Sequence, residues 1–280
     1  MLNYLEYIQN SIKNIYQEAE CFSLSRILIE EVSGTQAALF LSDKNTQLNI
    51  DQKQRLDDIL KELSQGKPLQ YILGYTEFYG LRFEVNSDVL IPRPETEELV
   101  EWIVSCPLPE KCRILDIGTG SGCIAVTLAK LLPDASIEAW DISEKALAVA
   151  KNNADKAGVD ICFRQLDILN AFLSERSCFD IIVSNPPYIM NVEKKEMHTN
   201  VLDFEPHLAL FVDDSDPLVF YRSIAKAGQS LLKPGGRLFY EINAQKGKET
   251  VALLDEMGYT DVTLRQDLSG NDRMILALHK

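Results

Sequence analysis

Leu115-Asp116-Ile117-Gly118-Thr119-Gly120-Ser121-Gly122 is the stretch on which the fold turns. It closes residues 113–117, which read as the first strand of a sheet, and it opens onto a helix. Glycines at such a junction let the backbone come close to a ligand and place N–H groups at a helix N-terminus. The spacing is G-x-G-x-G followed by Cys123, and no lysine follows, so this is not a phosphate-binding P-loop. A tight structural turn would use the same glycines, so neighbouring segments must decide what the loop is for.

Downstream, strands and helices alternate, the mark of an α/β fold with a parallel sheet and helices on both faces. Strands are expected at residues 113–117, 137–142, 161–166, 179–184, 237–242, 262–265 and 274–278, which makes seven. Helices are expected at 144–157, 217–232 and 249–257. The short link 267–272 predicts a closing antiparallel pair. Upstream, the first 65 or so residues read as helices. Leu5, Ile8, Ile12 and Ile15 share one helical face, a second helix ends at Gly34, and Asp51 is placed to cap another that closes at Gly66 and Pro68. Residues 69–91 are rich in aromatic and β-branched side chains broken by Gly74 and Gly80, which predicts a β-hairpin. The expected organisation is a helical domain at 1–67, a hairpin linker at 68–91, and the α/β domain at 92–280. Pro92-Arg93-Pro94-Glu95-Thr96-Glu97-Glu98 opens the latter with a helix start, proline first and acids in the first turn.

The 280 residues carry a formal net charge of −14, which argues against general binding to nucleic acid phosphates. The first 90 residues hold 8 Lys+Arg against 13 Asp+Glu, so they form no basic arm. No apolar run approaches a membrane span, and no signal peptide is evident. The six cysteines are scattered without a C-x-x-C pair, and His198, His207 and His279 show no metal-ligand spacing. Reduced thiols, a cytoplasmic location and no metal are expected.

Several strand ends converge on the glycine loop. Asp141 ends the second strand about 20 residues on, where an acid can accept both ribose hydroxyls. Asp167 ends the third, near where an adenine amino group would lie. Asn185-Pro186-Pro187-Tyr188 ends the fourth. Two prolines stop a strand because they have no N–H to donate, leaving carbonyls, the Asn185 carboxamide and an aromatic ring at a stiff corner. That corner suits a planar amide or amino group whose nitrogen reacts. Ligands in open α/β sheets bind in this crevice, so an adenosine-containing cofactor is expected.

The loop D-I-G-T-G-S-G, the acid and N-P-P-Y together resemble S-adenosylmethionine-dependent methyltransferases with a Rossmann-like seven-stranded sheet whose last strand is antiparallel. N-P-P-Y narrows the resemblance to enzymes that methylate planar nitrogens, in adenine or in glutamine. Pro68-Leu-Gln-Tyr-Ile-Leu-Gly74, Glu77-Phe-Tyr-Gly80, Leu90-Ile-Pro-Arg-Pro-Glu-Thr-Glu97, Phe204-Glu-Pro206 and Phe220-Tyr-Arg222 resemble the bacterial peptide-chain release factor glutamine methyltransferase family. The sister family acting on a ribosomal protein continues differently after P-R, and adenine-modifying enzymes lack the helical domain and hairpin.

The resemblance implies N5-methylation of the glutamine in the Gly-Gly-Gln tripeptide of class-1 release factors, a step serving translation termination. The donor would be S-adenosyl-L-methionine and the product S-adenosyl-L-homocysteine. Gly118, Thr119, Gly120, Ser121 and Gly122 would hold the methionine part, Asp141 the ribose, and Asp167 and Ile168 the adenine. Asn185, Pro186, Pro187 and Tyr188 would hold the glutamine, and Asn185 would also border the cofactor. Asn185, Pro186 and Tyr188 would act in catalysis, Tyr188 as a pocket wall whose ring favours the sulfonium charge. Residues 90–95 would roof the site, and the helical domain would select the release factor. A monomer with no direct contact to nucleic acid or membrane is expected. Two departures from the family pattern are Asn243, where glycine is usual, and Asp214-Ser-Asp-Pro-Leu218 in place of a glycine-rich run.

Overall fold

Regular apolar spacing near the start of the chain becomes helix, and the β-branched runs after it become one large sheet. The computed structural model describes residues 3–42, 46–171 and 177–280. The chain divides into two units: Met1–Leu73 with Thr199–Phe204, and Gly74–His198 with Glu205–Lys280.

The first unit contains helices α1 (Tyr4–Ile12), α2 (Glu18–Ser33), α3 (Ala37–Ser42), α4 (Ile50–Leu63) and α5 (Leu69–Leu73), joined from later in the chain by α9 (Thr199–Phe204). Ile8, Ile12, Leu28, Ile29, Leu56 and Leu63 are fully buried in its core. Helix α2 ends at Gly34, whose φ of 68° is the left-handed conformation glycine tolerates and whose N–H bonds the Glu30 carbonyl. The cap of α4 is Asn49 rather than Asp51. The Asn49 side chain accepts from the Gln52 N–H, and the Gln52 side chain accepts from the Asn49 N–H, both at 2.9 Å. Asp51 instead lies in the first turn, where its charge favours the helix dipole.

The second unit begins with a hairpin of β1 (Tyr75–Phe78) and β2 (Leu81–Glu84). It is shorter than expected, because residues 69–73 are helical and Leu69 and Tyr71 are buried there. Tyr79 and Gly80 both have positive φ, the two-residue turn whose twist matches a hairpin, and the Tyr79 N–H is held by Glu97 at 2.6 Å.

The chain continues through α6 (Pro94–Ser105), β3 (Arg113–Ile117), α7 (Cys123–Leu131), β4 (Ser136–Asp141), α8 (Glu144–Ala157), β5 (Cys162–Gln165) and β6 (Phe179–Ser184). After β6 come β7 (Ile189–Met190), a 3-10 turn at Asn191–Glu196, α10 (His207–Leu210), β8 (Phe211–Val212), α11 (Val219–Leu231), β9 (Leu232–Glu241), α12 (Gly247–Glu256), β10 (Thr260–Gln266) and β11 (Asp272–Leu278). The seven-stranded sheet has the order β10-β11-β9-β6-β3-β4-β5. Only β11 runs against the others, pairing antiparallel with both β9 and β10. The short β7–β8 pair was not anticipated, because two-residue strands carry no periodic signal.

Alternating side chains separate the two faces of the sheet. Ile114, Ile181, Val183 and Phe239 pack with Leu99, Val100 and Ile103 of α6 and Ile124 and Leu128 of α7. Leu115, Ile182, Leu238 and Tyr240 pack with Tyr221 and Ile224 of α11 and Leu254 of α12. Both faces being covered explains why the central strands β3, β6 and β9 bury apolar side chains on both sides. The order reverses between β3 and β6, so their carboxyl ends flank the crevice in which such sheets bind ligands.

Candidate active site

The glycine loop leaves β3 at that crevice. Gly118, Gly120 and Gly122 have φ of 75°, 54° and 81°, values that strain any residue with a Cβ. At Gly122 an added Cβ would also sit 3.1 Å from the Ala150 Cβ, whereas Gly118 and Gly120 face open space. The glycines therefore divide the work: Gly122 lets α7 pack against α8, and the other two leave room for a ligand.

Asp141 fastens the loop. Its carboxylate accepts the backbone N–H of Gly120 and of Ser143, both at 2.9 Å. Burial raises its pKa, opposed by these two N–H groups. Asp116 lies under the loop, fully buried, with one oxygen accepting the Thr119 hydroxyl at 2.7 Å and the other without a partner among the described residues. Burial pushes its carboxyl up to about 7, against the lowering effect of Thr119. Cys123 also lines the cleft, but burial pushes its thiol up to about 12, so it offers no thiolate.

The end of β6 is tied to the end of β3 by the Ser184 hydroxyl, which donates to the Ile117 carbonyl at 2.6 Å. Asn185 follows, half-buried and lining the cleft with Pro186 and Pro187. The Asn185 Nδ2 donates to Thr96 Oγ1 at 3.3 Å. Thr96 Oγ1 in turn donates to Glu241 Oε2 at 2.6 Å. Tyr188 departs from its expected place as a pocket wall. It is absent from the cleft lining, it packs against the core beside α11, and its hydroxyl donates to Glu241 Oε1 at 3.2 Å. The cause is the buried acid: Glu241 is 1 % exposed, and it draws in the nearby hydroxyls that can satisfy it.

Of the segment 90–95, Leu90, Pro92 and Arg93 border the cleft, and the segment is held by Glu205, which is 4 % exposed. Its carboxylate accepts the Ile91 N–H at 3.3 Å and the Arg93 guanidinium at 2.5 Å. This contact joins the P-R-P-E-T-E and F-E-P segments. In the F-Y-R motif, Phe220 lines the cleft, Tyr221 is buried, and Arg222 makes a two-point contact with Asp216 at 2.7 and 3.1 Å.

The cleft encloses about 320 Å³ and brings together Gly118–Ser121, Asp141, Asp167, Ile168 and Asn185–Pro187. Gly122 is set back from it. Asp167 turns its oxygens to the Leu169 N–H and the Asn170 amide, at 2.9 and 2.7 Å, so it shapes a turn as well as bordering the cleft. Thr96, Glu205 and Glu241 were not singled out for this site. Each is an ordinary polar residue in sequence, and only burial gives it meaning.

The region 108–263 matches the family model described as a methyltransferase domain, and residues 4–74 match that described as the PrmC N-terminal domain. Release factor glutamine methyltransferases from Bacteroides thetaiotaomicron and Flavobacterium psychrophilum are 46% and 48% identical to this chain. These alignments cover 97% of both chains in the first case, and 98% of this chain and 97% of the relative in the second. The chain belongs to the release factor glutamine methyltransferase family. The Streptococcus pneumoniae enzyme of the same name is 41% identical over 93% of this chain and 91% of its own. A methyltransferase structure from Pyrococcus furiosus, 14% identical, covers 81% of this chain and 98% of its own with a TM-score of 0.53, a likeness of fold.

The methyl donor of this methyltransferase is S-adenosylmethionine, and the residues present fit it. Gly118 and Gly120 face open space that would admit its chain, Asp141 would have lone pairs to offer ribose hydroxyls, and Ile142, Leu166, Ile168 and Phe220 supply apolar lining. The two departures from the family pattern are structurally absorbed. The Asn243 amide donates to the Tyr188 carbonyl at 3.1 Å and to Glu193 at 3.0 Å, bracing the corner after the prolines. Asp214 accepts the Val192 N–H at 3.1 Å.

Proposed function

We propose that this protein methylates the side-chain amide nitrogen of the glutamine in the Gly-Gly-Gln tripeptide of class-1 peptide chain release factors. The observation that carries the reading is the Asn185 corner. One N–H of its carboxamide donates to Thr96, which orients the group with its oxygen away from Thr96 and available to the cleft, beside prolines that carry no competing donor.

An amide nitrogen is a poor nucleophile because its lone pair is delocalised into the carbonyl. Orientation is therefore the enzyme's main task. The Asn185 Oδ1 and the Pro186 carbonyl accept the two hydrogens of the substrate amide and aim its nitrogen at the methyl group. Positioning of this kind supplies several kcal/mol, on the order of 10²- to 10⁴-fold or more in rate. S-adenosylmethionine, when bound, supplies an electrophilic methyl group on a positively charged sulfur. Transfer of that methyl would exchange its C–S bond for an N–C bond, and the surplus proton of the substrate nitrogen would pass to water. Gly118–Ser121, Asp141, Asp167 and Ile168 would hold the donor, with Gly122 set back to let α7 pack on α8; Pro187 flanks the glutamine, and Tyr188 acts at one remove by holding Glu241. The helical unit selects the release factor. The protein works in the cytoplasm as a monomer without nucleic acid or membrane.

Labelled donor offered to a release factor, to its variant with alanine for the tripeptide glutamine, to ribosomal protein and to duplex DNA tests this reading. Label is expected on the first alone. Label on DNA or ribosomal protein instead would replace it with adenine or ribosomal glutamine methylation.

A further inference from the structure

The Thr96–Glu241 pair has no part in binding either substrate in the reading above. Thr96 is 2 % exposed and Glu241 1 % exposed, on the first turn of α6 and the last residue of β9. Their separation of 2.6 Å is that of a charge-assisted O–H···O⁻ bond. An ionised carboxylate only accepts, so the single hydroxyl proton of Thr96 points to Glu241. The Tyr188 hydroxyl donates to the other oxygen of the same carboxylate; burial raises the Glu241 pKa, and the Thr96 and Tyr188 hydroxyls and the Arg273 charge oppose that rise. Thr96 then has only lone pairs to offer Asn185. The carboxamide must meet it with Nδ2–H, as it does, and the opposite corner of the planar group, Oδ1, is turned away from Thr96. A carboxamide is nearly symmetrical in shape, so packing alone would not choose between its two orientations.

We propose that Thr96, polarised by Glu241, is a positioning residue that fixes the orientation of the Asn185 carboxamide and thereby makes the cleft select an amide NH₂ over a carboxylate. The proposal rests on the reading of Asn185 as the acceptor of the glutamine amide. With Oδ1 presented, a glutamine donates to it, while a glutamate would set oxygen against oxygen. Sites built to match a donor reject an analogue lacking it far more strongly than apolar pockets reject a misfit. Were Thr96 unable to accept, the carboxamide could turn over, and its NH₂ would repel the reactive nitrogen and welcome a carboxylate.

The test uses the full-length protein with Thr96→Val, Thr96→Ser and Asn185→Ala, and two release factors, one with the tripeptide glutamine and one with glutamate in its place. Thr96→Val should lower kcat roughly 100-fold, comparable to loss of a transition-state hydrogen bond, and leave the Kd for S-adenosylhomocysteine within about threefold. Thr96→Ser, which keeps the hydroxyl, should retain kcat within about threefold, a rescue that separates the hydrogen bond from packing. The glutamate release factor should inhibit Thr96→Val at least about tenfold more strongly than wild type. An unchanged preference for glutamine over glutamate, or equal losses in the valine and serine variants, overturns the proposal. If Thr96→Val fails to fold, Glu241→Gln is read in its place, with the same loss of kcat and the same gain in glutamate inhibition expected. Asn185→Ala separates the two levels: normal kcat there overturns the reading of Asn185, whereas a large loss there with none in Thr96→Val overturns only the role of Thr96.

Discussion

Asp141 Oδ2 accepts the backbone N–H of Gly120 at 2.9 Å, so the acid at the end of β4 and the loop at the end of β3 are one unit. Removing the carboxylate loosens the glycine loop and removes the ribose acceptor together. Asp141→Ala should weaken S-adenosylhomocysteine binding by about 100-fold, the combined effect of two charge-assisted hydrogen bonds, as measured by calorimetry. Unchanged affinity would take Asp141 out of the site.

Asn185 stands on the other strand end and should separate from Asp141 in its kinetics. Asn185→Ala is expected to lower kcat at least about 100-fold while changing cofactor affinity by less than about threefold. Single-turnover kinetics beside equilibrium binding make the comparison. Comparable losses in both would mean that the residue holds the donor and does not orient the acceptor.

Glu205 holds the segment at 90–93 through the Ile91 N–H and Arg93. Glu205→Ala should raise the KM for the release factor and cost about 1–3 kcal/mol of stability, because a buried N–H and a half-buried guanidinium lose their acceptor. Thermal unfolding and steady-state kinetics on one preparation check both effects. An unmoved KM would leave Glu205 a purely structural residue.

Asp116 makes stability depend on pH. Its folded-state value of about 7 lies above the ordinary carboxylate value, so the folded protein binds this proton more tightly than the unfolded chain does. Its contribution is full below about pH 4 and is lost as pH rises towards 7 and beyond. Asp116→Asn should flatten the stability profile between these limits by a few kcal/mol relative to wild type, in denaturant titrations at several pH values. Parallel profiles for the two proteins would show that Asp116 titrates normally.

The helical unit leaves Phe22 48% and Leu39 61% exposed. If this unit selects the protein substrate, Phe22→Ser and Leu39→Ser should raise the KM for the intact release factor severalfold, while turnover of a short glutamine peptide stays the same. Equal effects on protein and peptide would place the defect in the α/β unit.

Most of the α/β architecture was legible because buried parallel strands need near-continuous apolar runs, as at residues 113–117 and 179–184. The crevice was legible because Gly118, Asp141 and Asn185 all follow strand ends, and strand ends on one edge of a parallel sheet must lie near one another. Residues 69–73 were misread because Tyr71 and Ile72 have strand-like side chains, and packing in the helical core overrode that preference. Tyr188 was misplaced because its partner, Glu241, lies 53 residues away.

The order of apolar and glycine-rich segments by itself determined the sheet, the loop and the acceptor corner, since these depend on local backbone chemistry. Only the tertiary structure decided which way the Asn185 carboxamide faces. That choice depends on one hydroxyl proton, and its direction is set by an acid that the fold brings from residue 241 to residue 96 and buries there.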